Sequence, residues 1–398
     1  MLTGANATVA LVDFMRSEIH KRNRVSEAFF PQEAKRIAAA AREMAERFLR
    51  GGRLITCGNG AYATDAQHVS VEFVHPVLVG KRALPALDLS IAYADWIPAI
   101  IGSDDMVMGF GPPEGDPGIQ AALNDARARG AMTIALPGGD GDYGVPSPDS
   151  DPHIHQELLE ILTHALYETV HVFLEHRDFG EPQSASDFLY PFLGVQTQSM
   201  EPVAAEAAVS VLTKAADTAR LRDLVEREEL EAVAAAVLAM RRALDAGGKL
   251  IFFGNGGSAT DANDWALDCI LRDGATPTLP AISLSLEPAC ITAIANDVGV
   301  DVIFLRQLIA QAKPNDVAVA LSTSGGSKNV VAALAEARKR GILTVALLGY
   351  DGGQIARERL ADHTIVVRSD YIPRIQEVQA TIYHLIRRGL HLAGATGA

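Results

Sequence analysis

Cysteine is scarce in this chain: Cys57, Cys269 and Cys290 are the only three among 398 residues, and no two are spaced as CxxC. Three cysteines cannot build a disulfide framework, which fits a reducing compartment and a cytoplasmic location. Long apolar runs are missing as well, and none approaches the roughly 20 residues that a helix needs to cross a bilayer. The opening residues, Met1-Leu2-Thr3-Gly4-Ala5-Asn6, carry neither the basic stretch nor the apolar core of a secretion signal. Positive charge is in deficit. Against 49 Asp and Glu stand 35 Lys and Arg, a formal net charge of −14, and the longest basic cluster is Arg338-Lys339-Arg340. Such a surface repels nucleic acid and anionic membranes, so neither is an expected partner. A local site could still hold a small anion.

What is present is the balance of an ordinary globular protein, 48% apolar and 21% charged, with a length that suggests two domains. The chain repeats itself once. Gly51-Gly52-Arg53-Leu54-Ile55-Thr56-Cys57-Gly58-Asn59-Gly60 is echoed by Gly247-Gly248-Lys249-Leu250-Ile251-Phe252-Phe253-Gly254-Asn255-Gly256. Thr64-Asp65-Ala66 matches Thr260-Asp261-Ala262, and Leu84-Pro85-Ala86 matches Leu279-Pro280-Ala281. Ala126-Arg127-Ala128-Arg129-Gly130 answers Ala337-Arg338-Lys339-Arg340-Gly341, and Gln156-Glu157 answers Gln376-Glu377. Matches in the same order over half the chain mark a duplicated domain, not a solenoid.

Each copy alternates short apolar, β-rich runs with helical patterns. In the second copy the runs are Lys249 to Phe253, Ala281 to Ser285, Val317 to Leu321, Leu343 to Leu348 and His363 to Val367. Helices are expected at Ala259 to Leu271, Lys328 to Arg340 and Arg374 to Leu390. Strands buried on both faces and joined by helices imply a parallel sheet in an α/β/α three-layer sandwich. A long Ala- and Arg-rich helix precedes each copy, Glu33 to Arg50 and Glu228 to Ala246. Gly, Pro, Ser and Gln interrupt the periodicity near Phe179 to Pro202, which places the domains at 1–185 and 195–398. The first copy is shorter: ahead of Met106 there is no room for a counterpart of Val302 to Ala312.

Ser322-Thr323-Ser324-Gly325-Gly326-Ser327 follows a strand and opens a helix. Its hydroxyls, backbone N–H groups and positive helix end can surround a phosphate without a lysine; the plainer role is to cap the helix. The first copy has Gly111-Pro112-Pro113-Glu114-Gly115-Asp116 instead, with no hydroxyl, two prolines and two acids, so it should not bind phosphate in that place. The asymmetry reverses elsewhere. His68 and Glu72 share a helix face in the first copy, and Gln156 and His164 lie two turns apart on its last helix. The second copy has Asp264 and Asp268 at the earlier pair and keeps Gln376 and His384. His153, His155, His171 and His176 read as packing or surface residues.

The turns Gly58-Asn59-Gly60 and Gly254-Asn255-Gly256-Gly257-Ser258, with Leu321-Ser322-Thr323-Ser324-Gly325, resemble the sugar isomerase (SIS) domain, most closely its phosphoheptose isomerase branch. The resemblance implies two tandem SIS domains and an aldose–ketose isomerase of a sugar phosphate, sedoheptulose 7-phosphate first among substrates, working through an enediol. By the same resemblance His68, Glu72, Gln156 and His164 form a zinc-binding cluster, with Glu72 and His164 as the proton-transfer pair. Asn255, Gly256, Gly257, Ser258, Ser322, Thr323, Ser324 and Ser327 would bind the substrate and its phosphate, and Asp95 would contact the sugar. Each copy keeps what the other has lost, so composite sites drawn from both copies are expected, in a homodimer that rebuilds the family's four-domain assembly. Two rivals follow from the same resemblance: a non-catalytic sugar-phosphate-binding regulator or assembly factor, and a relative of the isomerase half of glucosamine-6-phosphate synthase.

Overall fold

Runs of aliphatic residues without a polar face become strands covered on both sides. In the computed structural model, which describes residues 4–76, 81–139, 141–178, 200–271 and 277–395, they form two separate five-stranded sheets. The first repeat runs α1 (Gly4–Leu49), β1 (Leu54–Gly58), α2 (Tyr62–Val74), β2 (Ala86–Asp88), α3 (Tyr93–Ile100), β3 (Met106–Phe110), α4 (Pro117–Ala128), β4 (Met132–Leu136), β5 (Tyr143–Gly144) and α5 (Pro152–Asp178). The second runs α6 (Met200–Glu228), α7 (Leu230–Asp245), β6 (Leu250–Phe253), α8 (Gly257–Ile270), β7 (Ala281–Ser283), α9 (Pro288–Asp297), α10 (Ile303–Gln311), β8 (Val317–Ser322), α11 (Lys328–Lys339), β9 (Leu343–Gly349), α12 (Gly353–Arg357), β10 (His363–Val367) and α13 (Ile372–Ala395).

The strand orders are β2-β1-β3-β4-β5 and β10-β9-β8-β6-β7, and the pairings are parallel. Leu54 lies opposite Met106 in one sheet and Leu250 opposite Val317 in the other, so the duplication holds strand for strand. One helix, α3, joins β2 to β3, where α9, a 3-10 turn at Val300–Val302 and α10 join β7 to β8. That is the shortening expected of the first copy.

Both faces of each sheet are packed. Leu54, Met106, Met108 and Ile134 meet Phe30, Phe73 and Leu158 on one face of the first sheet, while Val107 and Ala135 meet Ile97 and Leu123 on the other. The second sheet repeats this, with Phe252 and Val319 against Trp265 and Ile382, and Phe253 and Ala320 against Phe304 and Leu334. A fully buried Leu, Ile, Phe or Met contributes about 1.5–3 kcal/mol, so the two-sided burial holds each three-layer sandwich together.

The chain divides into two compact units, Val25–Ala216 and Met1–Arg24 with Asp217–Ala398. Residues 1–24 thus belong with the second repeat: Leu11, Met15 and Ile19 of α1 lie in its core, whereas Phe29, Phe30 and Ala34 lie in the core of the first. Helix α1 is longer than the Glu33 to Arg50 segment expected, and it runs through Pro31. A proline removes one helical hydrogen bond, and the packing on either side of it outweighs that loss. The domain boundary read from the sequence, up to residue 199, lies outside the described residues. No described helix is long and apolar enough to cross a membrane.

Candidate active site

In both sheets the first strand of the repeat is flanked by the second on one side and the third on the other. The crevice beyond the C-terminal ends of the first and third strands is therefore the topological switch point, where open α/β sheets bind ligands. In the second repeat it is formed by the turns after β6 and β8. Asn255 and Asn329 lock these turns together through two reciprocal amide hydrogen bonds of 2.9 Å. The structure thus brings Asn255, Gly256 and Gly257 beside the Ser322 to Ser327 turn.

That second turn is shaped by glycine. Gly325 has φ +59°, and a Cβ on it would run into the Gly352 carbonyl. The Thr323 carbonyl accepts from Gly349 N at 2.9 Å and the Gly325 carbonyl from Ile355 N at 3.0 Å, so the β9–α12 connection braces the turn from behind. Ser322 Oγ accepts from Gly325 N at 3.1 Å and Ser324 Oγ from Gly326 N at 3.3 Å. Ser327, at the N-cap of α11, makes no side-chain capping bond. The first N–H groups of this 12-residue helix favour an anion at its start. Ser258 is buried beneath the neighbouring turn.

In the first repeat, α2 springs from the Gly58-Asn59-Gly60 turn and sets His68 and Glu72 one helical turn apart. Helix α5 supplies His164. His164 Nε2 lies 3.3 Å from His68 Nε2 and 3.2 Å from Glu72 Oε1, and His68 Nε2 lies 3.7 Å from the same oxygen. All three side chains are buried, at 7%, 3% and 0% exposure for His68, Glu72 and His164. Burial by itself would raise the Glu72 carboxyl, but the two imidazoles outweigh it and hold the group well below the usual carboxylate range.

The same three side chains also carry electron pairs, on atoms 3.2–3.7 Å apart. Glu72 Oε1 receives no aligned hydrogen bond although two imidazole nitrogens are near it. The same spacing suits a cation: four ligands at bonds of about 2.0–2.1 Å around a tetrahedral zinc stand about 3.3–3.4 Å apart. The residues therefore fit a metal ion with His and carboxylate ligands. Gln156, expected in this cluster, gives its amide N–H to Asp65 Oδ2 at 3.0 Å. Glu160 joins it: its carboxylate lies within 4.8 Å of ligand nitrogens of His68 and His164.

The SIS domain profile matches residues 215–349 of this chain. A phosphoheptose isomerase from Solidesulfovibrio magneticus is 45% identical over 172 residues, 43% of this chain and 82% of that protein. Another, from Geobacter metallireducens, is 42% identical over 177 residues, 44% of this chain and 93% of that protein. The chain belongs to the phosphoheptose isomerase family. Each of these relatives has the length of one repeat. Both repeats together are similar to the C-terminal domain of glucosamine-fructose-6-phosphate aminotransferase from Francisella tularensis, with a TM-score of 0.57 over 96% of either chain. At 10% identity that likeness speaks for the tandem fold alone.

The second repeat of this family member carries an acid–base cluster of its own. His384 Nε2 lies 3.3 Å from Asp268 Oδ2 and 3.7 Å from Asp264 Oδ2, and the Tyr383 hydroxyl donates to that Asp264 oxygen at 2.6 Å. A protein hydroxyl thus serves a carboxylate at the position of His68. Asp95 stands exposed in the first turn of α3 and is not among the side chains that meet at Glu72. His155 is a packing residue, fully buried between Ser147 Oγ at 2.8 Å and the Gly111 carbonyl at 3.0 Å. His153 and His171 are buried too, and the His176 side chain lies outside those described.

Sequence reasoning missed Glu160 and Tyr383. Glu160 was findable, since it sits one turn from both Gln156 and His164, but Ala380 at the matching point of the second repeat hid it from a comparison of the copies. Tyr383 has Thr163 as its counterpart and gives no such signal.

Proposed function

We propose that this chain, a sugar-phosphate isomerase by family, interconverts a ketose phosphate and its aldose, with sedoheptulose 7-phosphate as the first candidate. The observation that carries the reading is the buried convergence of His68, Glu72 and His164 in the first repeat. The curated relatives are named phosphoheptose isomerases, which supports the seven-carbon substrate.

Moving a carbonyl between C1 and C2 requires a base that takes a proton from one carbon and returns it to the other through a cis-enediol. Glu72, with Oε1 toward the imidazoles, would use its other oxygen for that transfer. His164 would serve the hydroxyl and carbonyl oxygens, and His68 would keep Glu72 ionised. Zinc held by His68, Glu72, Glu160 and His164, with the Gln156 carbonyl as a weaker donor, would polarise the carbonyl and stabilise the enediolate. In the second repeat Ser322, Thr323, Ser324 and Ser327 would hold the phosphate, with Asn255, Gly256, Gly257 and Ser258 framing it. Asp95 would contact the sugar. On this reading one turnover draws on residues of both repeats, and the working protein is a cytoplasmic homodimer of tandem chains.

Glu72→Gln tests the reading, because it keeps the side-chain shape and removes the base. Turnover of sedoheptulose 7-phosphate should fall by roughly a hundredfold or more, the scale of a lost general base, while inorganic phosphate binding stays as in the parent. Undiminished turnover would sink the assignment of Glu72.

A further inference from the structure

Helix α5 is buried along most of its length, yet one of its faces is polar. His164, Tyr167, His171 and Glu175 follow one another at helical spacing, so all four share a narrow arc of the helix. The row spans roughly 16 Å at 1.5 Å per residue. It begins at His164, in the cluster with Glu72, and ends at Glu175, which is exposed and pairs with Lys81. Between these ends Tyr167 and His171 are 1% and 2% exposed. Their rings meet edge to face with centroids 4.8 Å apart, and Phe73, the neighbour of Glu72 on α2, meets the Tyr167 ring at 5.3 Å.

Among the described residues neither the Tyr167 hydroxyl nor His171 Nε2 has a hydrogen-bond partner. Phe and Leu would pack there without the cost of a lone buried polar atom. Water is the ordinary remedy, since it can both donate and accept in a buried polar gap. Burial and the Glu72 and Glu168 carboxylates keep the Tyr167 hydroxyl protonated. Burial, with Lys81 and Arg82, keeps His171 neutral against the pull of Glu175. A neutral imidazole has one N–H and one lone pair, and a phenol can accept on its oxygen while it donates. Each can hand a proton on without a lasting change of charge.

The second repeat keeps part of this row and interrupts it. His384, Arg387 and His391 stand at the places of His164, Tyr167 and His171. Arg387 is buried, and its Nε donates to the Asp268 carbonyl at 2.7 Å. A guanidinium has donors only and accepts no proton, so this second row cannot pass one along.

We propose that Tyr167 and His171, bridged by buried water, form a proton relay between Glu72 and the solvent at the Lys81–Glu175 pair. Once Glu72 has taken the proton from C1 of a ketose phosphate, its carboxylic acid gives that proton to the row. Tyr167 accepts it and passes its own toward His171 Nε2, and the other nitrogen of that ring releases one to bulk water. A solvent proton returns by the reverse steps, so only O–H and N–H bonds are exchanged and no charge is left behind. Glu72 thus delivers a solvent proton to C2. Tyr167 and His171 act through Glu72 and touch no substrate atom. This inference rests on the isomerase reading, in which Glu72 is the base.

For the test, the zinc-loaded full chain isomerises sedoheptulose 7-phosphate in D2O, and mass spectrometry reads the deuterium at C2 of the aldose phosphate at low conversion. That ratio counts exchanges per turnover, so a variant that is merely slower or less stable leaves it unchanged. The parent should give deuterated product. Tyr167→Phe, which keeps the ring and removes the hydroxyl, should lower the deuterium roughly threefold or more, and His171→Gln should do the same. Parent product free of deuterium, or folded variants that match the parent, would overturn the relay. The two variants are independent, so if one misfolds the other decides. A second readout needs no turnover: a crystal structure of the parent should hold water on both Tyr167 Oη and His171 Nε2, and a dry pair would overturn the relay too. A parent that leaves the ketose phosphate unchanged, with that water in place, would refute the isomerase reading and keep the buried path.

Discussion

His68 and His164, from the second and fifth helices of the first repeat, bring their Nε2 atoms to 3.3 Å with one oxygen of Glu72 within 3.7 Å of both. At the matching place in the second repeat, His384 faces Asp264 and Asp268, and Tyr383 donates to Asp264. A cation suits the first cluster; in the second, Tyr383 and His384 of α13 face the Asp264 and Asp268 carboxylates of α8.

Tyr383→Phe should therefore act on stability and not on catalysis. Losing the 2.6 Å hydrogen bond leaves a buried carboxylate short of a donor, at a cost of about 1–3 kcal/mol in denaturant unfolding. Turnover per folded molecule should stay within a few-fold of the parent. A collapse of turnover with unchanged stability would show instead that the second-repeat cluster does chemistry.

Gly325→Ala should disable the phosphate turn. The residue has φ +59°, and an added Cβ meets the Gly352 carbonyl, so the turn must open. Losing one or two charge-assisted hydrogen bonds to phosphate should raise KM roughly tenfold or more. An unchanged KM in a variant with native circular dichroism would remove the turn from the substrate site.

Acid should weaken the first repeat through histidines outside the cluster. Burial pushes the His155 imidazole down to about 4, against the raising effect of its bond to the Gly111 carbonyl, and burial likewise lowers His171 to about 4. In the unfolded chain these rings take up protons near 6.5, while the folded state resists until about 4. The unfolded state then binds more protons in that window, so stability falls as pH drops from 6.5 toward 4. His155 alone should account for about 2 kcal/mol between pH 6.5 and 5. Urea unfolding of the parent and of His155→Gln across this range checks it. A variant with the same pH slope as the parent would contradict the assignment.

Much of this architecture was legible in the sequence, and the reasons are local. Runs such as Val317 to Leu321 and the paired Gly-Asn-Gly turns specify buried parallel strands and their crevice without tertiary information. Helical spacing paired His68 with Glu72, and the resemblance to phosphoheptose isomerases joined them to His164 of a separate segment. What stayed hidden depends on long-range packing. The first 24 residues join the core of the second repeat, though nothing in their composition says so. The helix expected from Glu33 starts far earlier, and Pro31 lies inside α1. Asp116 reads as a charge that repels phosphate, and in the structure it caps α4 and accepts from Asn59.

The most direct measurement is turnover of sedoheptulose 7-phosphate by the full chain before and after treatment with a chelator, followed by readdition of zinc. The account predicts formation of the aldose phosphate, loss of activity on chelation and its recovery with zinc, at one ion per chain. Turnover that persists in a metal-free protein, or a folded zinc-loaded protein that leaves this ketose phosphate unchanged, would contradict it.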